Sequence, residues 1–272
     1  MRELGDLLAR HDESIPLDVA ALQLATIEYP NVTAEPFRAL LDSYARELGE
    51  RVPPSTDGEE FVGTFNEFLF DELGFEGNED DYYDPANSCL NEVLTRRKGI
   101  PITLSVVCME IGRRLERPLF GIGLPGHFIV KYDDGIFSTY IDAFSSGQLL
   151  LDPECYDLAR RATGLQLESD PALLVPVGTR QIILRMLNNL RSAYYLRQEP
   201  QKALKVLDLL IQADPLSAEE YKQRGIFRAR LHLYQSARAD LETYLKLAPD
   251  APDREEVAKQ LHSLQSWLRN LQ

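Results

Sequence analysis

Residues from about 180 onward repeat with a period of 34, and few architectures satisfy such a period. Setting Pro215 against Pro249 places Leu187 on Tyr221, Leu190 on Arg224, Arg191 on Gly225 and Tyr194 on Arg228. In the same alignment Ala203 falls on Ala237, Leu207 on Leu241 and Leu210 on Tyr244. Apolar residues recur within each copy at spacings of three and four, which predicts a pair of helices per copy. Such a pair cannot bury its apolar face alone, so the copies must stack and the ends of the stack need cover. A last helix over 253–270, with Val257, Leu261, Leu264 and Leu268 on one face, is expected to supply it.

The period and the small residue opening each second helix resemble tetratricopeptide repeats, the second copy more closely than the first. The resemblance implies a concave groove that takes a protein or peptide partner. In a chain of 272 residues this leaves room for a second domain. The expected division is 1–178 and 179–272.

The first part reads as a different class. Helical spacing covers 17–29 and 35–48, and a further helix is expected at about 59–73. The acidic stretch GFEGNEDDYYDPANS lacks the ligand spacing of a calcium loop. It reads as a solvated loop ending in Asp84 as N-cap, with Pro85 at the first helical position. That helix is expected to stop at Gly99, and another to run from Pro101 to about Leu115. After Pro118 the period becomes two: 119–124, 127–132, 136–144 and 148–151 are expected strands, with a hairpin turn at Asp133-Asp134-Gly135. A helix over 153–163 follows. The fold class is therefore α+β: a helical N-terminal region, a core with a small antiparallel sheet, then an all-α array.

Net charge is −14 and the longest basic run is Arg96-Arg97-Lys98, so a nucleic-acid partner is not expected. No apolar stretch has membrane-spanning length and the N-terminus lacks a signal core, which places the chain in the cytoplasm without a membrane partner. Cys89, Cys108 and Cys155 lack paired spacing, and with four histidines no metal cluster and no cofactor is expected.

The stretch RRKGIPITLSVVCMEIGRRL, followed by GLPGHFIVKY and YIDAFSSGQLL, raises the question of catalysis. A hairpin turning at 133–135 brings residues near 127 opposite those near 141–142, so His127 and Asp142 are expected to hydrogen-bond beside the helix that opens at Pro101. In a Cys-His-Asp acyl-transfer site a thiol stands at such a helix start, where the dipole lowers its pKa. The histidine takes its proton and the carboxylate fixes the tautomer. Together the three segments resemble a bacterial family with a transglutaminase-like domain followed by tetratricopeptide repeats, the SirB type. The resemblance implies a papain/transglutaminase-like core and a regulatory role. It carries His127 and Asp142 onto two members of the triad and puts Pro101, with no thiol, at the third.

Two further side chains of this helix are candidate nucleophiles. Ser105 lies one turn beyond Pro101, about 6 Å along the axis, either as a vestigial nucleophile or bonded to a carbonyl one turn back. Cys108 lies about 10 Å along and reads as a core thiol. Asn87, Asn91, Arg97 and Gly126 are candidates to line a groove beside the site. The chain thus reads as a noncatalytic domain joined to a protein-binding or regulatory array. A hydrolase or acyltransferase using His127 and Asp142 is the alternative. The apolar segment 164–180 is expected to pack between the two halves.

Overall fold

The computed structural model describes residues 2–9 and 11–270, and among these no side chain at 2, 13, 267, 268 or 270. The chain divides into two units, Arg10–Met186, and Met1–Ala9 with Leu187–Gln272. The division falls eight residues beyond the expected boundary at 178, inside a helix that opens at Thr179. The first residues also group with the repeats: α1 (Arg2–Leu8) packs on a helix of the array and buries Leu4, Leu7 and Leu8.

In the unit Arg10–Met186, α2 (Leu17–Ala25), α3 (Glu35–Arg51) and α4 (Gly58–Asn66) form the helical region. Asp57 caps α4, accepting from the Glu60 N–H at 2.9 Å, and a wider turn over Glu67–Glu72 continues it. Two-residue strands β1 (Glu76–Gly77) and β2 (Lys98–Gly99) pair in parallel. Between them lie a 3₁₀ turn, Pro85–Ser88, and α5 (Leu90–Arg96). Asp84 does cap that turn, accepting from the Ala86 N–H at 3.0 Å. The helix, however, stops at Arg96, with Arg97 in the left-handed conformation at φ 60° rather than a glycine.

The helix α6 (Pro101–Arg114) is apolar nearly all round and buried from Pro101 to Cys108, as befits a helix covered on every side. It packs against α2, α3, α5 and the sheet. A charge cluster fixes it there. Buried Asp18 of α2 meets Arg114 at 2.9 Å and Arg38 of α3 at 3.0 Å, while Glu110 meets Arg113 at 2.8 Å. Burial pushes the Asp18 carboxyl up, but the two guanidiniums outweigh it and hold it below its ordinary 3.8.

The antiparallel sheet runs β3 (Leu119–Ile122), β4 (Ile129–Asp133), β5 (Ser138–Asp142) and β6 (Gln148–Leu150), in sequence order. Its central register pairs Val130 with Ile141 and Asp133 with Ser138. The turn is therefore centred on Gly135 and Ile136, later than expected. Asp134 forces the shift: its Oδ1 accepts from the Ile136 and Phe137 N–H groups at 2.9 and 2.8 Å. His127 also lies two residues before β4 instead of opening it.

The helix α7 (Asp152–Thr163) covers the sheet, burying Cys155, Tyr156 and Ala159 with Ile122, Ile129 and Tyr140. The following apolar segment packs within this same unit. Leu174 joins that cluster, Leu167 and Leu173 pack against it, and the Val177 N–H donates to Gly121 O at 2.9 Å. Leu165 and Val175 are exposed. The apolar character of 164–177 is thus explained by the outer face of its own sheet.

The helix α8 (Thr179–Leu196) receives a cap from far away in sequence: the Asp12 carboxylate accepts from the Thr179 and Arg180 N–H groups at 3.1 and 2.6 Å. The repeats comprise α8, α9 (Pro200–Ala213), α10 (Ala218–Arg230), α11 (Tyr234–Leu247) and α12 (Arg254–Asn270). The partner of α1 is α9. Gly225 and Ala237, aligned from the period, are where α10 and α11 approach: a Cβ at 225 would lie 2.9 Å from Leu241. Val257 and Leu261 of α12 bury against Leu241 and Tyr244, with Leu264 alongside. The Leu268 side chain lies outside the described residues. Among the described residues no helix is long and apolar enough to cross a membrane.

Candidate functional site

The loop between β3 and β4 carries His127. The Leu124-Pro125-Gly126-His127 turn is closed by the His127 N–H donating to Leu124 O at 3.3 Å, with Gly126 at φ 71°. Pro at the second position and a left-handed glycine at the third suit a type II turn. Arg185, at the start of α8, grips this turn. Its Nη2 donates to Leu124 O at 2.6 Å and His127 O at 2.5 Å, and its guanidinium lies 5.5 Å from the centre of the Phe128 ring.

His127 is 9% exposed, and its Nε2 lies 2.9 Å from Asp142 Oδ1. Asp142 ends β5 and is almost wholly buried. It also accepts from the Ser145 hydroxyl at 2.9 Å and the Phe144 N–H at 3.1 Å. Burial pushes its carboxyl up, but the His127 bond and charge, with Ser145 and Phe144, hold it below its ordinary 3.8. A carboxylate only accepts, so Nε2 donates to it, and in the neutral tautomer with this bond Nδ1 keeps a lone pair. No described residue bonds Nδ1. The pair is thus arranged as a base whose second nitrogen is oriented by a buried acid.

The candidate nucleophiles on α6 are placed as follows. Pro101 is the first residue of α6, buried, with neither thiol nor N–H. Ser105 is fully buried and its hydroxyl donates to Pro101 O at 2.8 Å, the bond to a carbonyl one turn back. Of the two readings of Ser105, this geometry is that of the helix-bonded core serine. Burial alone pushes the Cys108 thiol far up, and Cys89 and Cys155 are buried as well.

The four candidates for a groove are distributed otherwise than expected. Asn87 is fully buried and staples the loop before it: its Nδ2 donates to Asp81 O at 2.7 Å, and its Oδ1 accepts from Asn78 and Arg96 at 3.0 and 2.9 Å. Its own carbonyl accepts from the Thr103 hydroxyl at 2.7 Å, tying that loop to the first turn of α6. Asn91 is buried too, with Nδ2 on Glu92 at 3.2 Å. Arg97 is exposed at the end of α5, where its conformation stops the helix. Gly126 faces α7, for a Cβ there would lie 3.0 Å from Ala162. The two asparagines fold inward, because an uncharged amide is buried where backbone groups need partners, whereas Arg97 and Gly126 stay exposed.

Sequence reasoning missed the aromatic row that stands there instead. His127 meets Phe144 edge-on at 6.1 Å, Phe144 meets Tyr82 at 5.9 Å, and Tyr82 meets Tyr83 at 5.2 Å. The tyrosines lie in the acidic stretch read as a solvated loop, and their adjacency was the available signal. Arg185 was missed because it lies 58 residues beyond the histidine it holds. Among the described residues no cluster of His, Cys, Asp and Glu could hold a metal ion.

Comparison with known proteins identifies both regions of the chain. A model described as the transglutaminase-like superfamily matches residues 35–188, and one described as a tetratricopeptide repeat matches 190–262. A UPF0162 protein of Xylella fastidiosa is 37% identical over 243 residues, spanning 88% of this chain and 86% of that protein. One from Pseudomonas aeruginosa is 29% identical over 245 residues, spanning 90% and 89%. Human F-box only protein 21 is 31% identical over 198 residues, 70% of this chain but 29% of its own length. The chain belongs to the transglutaminase-like superfamily and to the family of UPF0162 proteins, with tetratricopeptide repeats following its core.

Proposed function

We propose that the transglutaminase-like unit is noncatalytic and that the chain works as a protein-binding or regulatory module through its repeats. One observation carries this reading. The His127–Asp142 pair is complete, yet the helix start where the family resemblance puts the thiol holds Pro101. The buried hydroxyl of Ser105 and the thiol of Cys108 do not replace it, since neither is exposed to a substrate. Tetratricopeptide repeats generally bind proteins, which gives the second half of the reading its support. The regulatory role implied by the SirB-type resemblance belongs to the same proposal.

The test is thiol and acyl-donor chemistry on the whole chain. Iodoacetamide near neutral pH should label the folded protein slowly, and identically after His127→Ala. Rapid stoichiometric labelling that His127→Ala abolishes would sink the noncatalytic reading and make the chain a cysteine-dependent acyltransferase or hydrolase.

A further inference from the structure

Several arginines of the repeat unit are held by acids. Arg191 meets Glu220 at 2.6 Å, Arg224 meets Asp208 and Asp240 at 2.7 Å, and Arg228 meets Asp240 at 2.7 Å. Arg230, the last residue of α10, is exposed and makes no hydrogen bond or ion pair to any described residue. In a chain of net charge −14, Arg230 is a cation free to meet an acid from outside.

Its surroundings hold it ready. The guanidinium carbon lies 5.9 Å from the centres of the Tyr195 and Phe227 rings, which meet edge-on at 6.0 Å. Stacking on rings restrains a guanidinium and leaves its N–H edge unused, the arrangement suited to a bidentate carboxylate. Two cavities, of about 510 and 600 Å³, adjoin Arg230 and share it as a wall. Tyr195 and Leu196, 54% and 53% exposed, line the first; Ile226, Leu241 and Leu264 line the second. The carboxylates on these walls are engaged: Glu199 meets Lys202 at 2.5 Å, and Glu256 accepts from Gln260 at 3.4 Å. Lys259, on the wall of the second cavity, makes no ion pair to a described residue. The charge left to be matched in this groove is positive, opposite to that of the chain as a whole.

We infer that the groove takes a segment of a partner protein in which an acidic side chain stands between apolar ones, the carboxylate on Arg230 and the apolar side chains in the two cavities. This rests on the reading of the repeats as a docking surface and names the chemistry of what docks. The net charge alone points the other way, to basic partners; the local geometry overrides it because screening confines a surface field to about 8–10 Å.

The experiment uses the full chain and three pools of fluorescent octapeptides. Their central residue is Glu, Gln or Lys, and their flanking positions are randomised over Leu, Phe, Ile and Tyr. By anisotropy the Glu pool should bind about tenfold tighter than the Gln pool, the Lys pool weakest, with the gap closing as salt is raised. Arg230→Gln should erase the preference for Glu without changing circular dichroism or Tm, and Arg230→Glu should reverse it. Equal binding of the three pools, a preference for Lys, or a Glu preference that survives Arg230→Gln overturns the anionic assignment while leaving the repeats as a docking surface. Absence of binding by every pool up to about 1 mM overturns both.

Discussion

The two sides of the candidate site have been kept to different standards. On the sheet side, His127 and Asp142 retain the contacts of a working base. The carboxylate is buried and fully bonded, and the turn under the histidine is clamped by Arg185. On the helix side, Pro101 opens α6 where the family resemblance expects a thiol, and Ser105 and Cys108 are buried. The difference teaches that a catalytic pair is also a structural joint. A buried carboxylate bonded to a histidine, a serine and a backbone N–H holds a loop whether or not chemistry follows, and removing it leaves three partners unsatisfied.

The comparison predicts that damage falls unequally. Asp142→Ala should lower stability by about 3 kcal/mol, the cost of breaking a buried charged pair, read as a shift in the urea midpoint. Pro101→Ala should change it by less than about 1 kcal/mol; an equal cost on both sides would break the contrast. The effect of Asp142 should also vanish in acid. Its carboxyl is held below 3.8 in the folded chain, so its contribution is complete above that value and fades as pH falls beneath it. The urea midpoints of wild type and Asp142→Ala should draw together as pH falls below about 4.

Asn87→Ala should come next, at about 2 kcal/mol, because it strands buried partners in the loop and on α6. Limited proteolysis within 78–87 should accelerate with it. Pro101→Cys then sharpens the contrast from the other direction. A thiol at the helix start should alkylate at least about tenfold faster than the buried native thiols, and His127→Ala should slow it. If His127→Ala leaves the new thiol unchanged, the sheet side no longer acts as a base. The smallest effect is expected from Ser105→Ala, below about 1 kcal/mol, since only a bond to a helix carbonyl is lost.

Much of this was legible in the chain. The repeat period fixed where α10 and α11 touch, through Gly225 and Ala237, because a helix pair repeats its crossing point whenever its length repeats. Alternation of apolar residues found the four strands, and the PGH and IDAF segments found the pair at 2.9 Å. What escaped depends on side chains that act across distance or against their type. The hairpin register slid because a single carboxylate, Asp134, captured two N–H groups of the turn. Asn87 looked like a groove residue and is a buried staple, because polarity says that an amide needs partners without saying where they stand. Arg185 and Asp12 meet turns and caps far from them in sequence, which no local pattern encodes.

The packing of α1 on α9 has a consequence in time. Leu4, Leu7 and Leu8 are made well before the helix they cover, which begins only at Pro200. At roughly 5–20 residues per second the interval is on the order of 10–40 s. Throughout it, three leucines have no native surface to meet while the whole of 10–186 emerges and folds. The repeat unit therefore closes by a contact of very long sequence separation, the slowest kind to form.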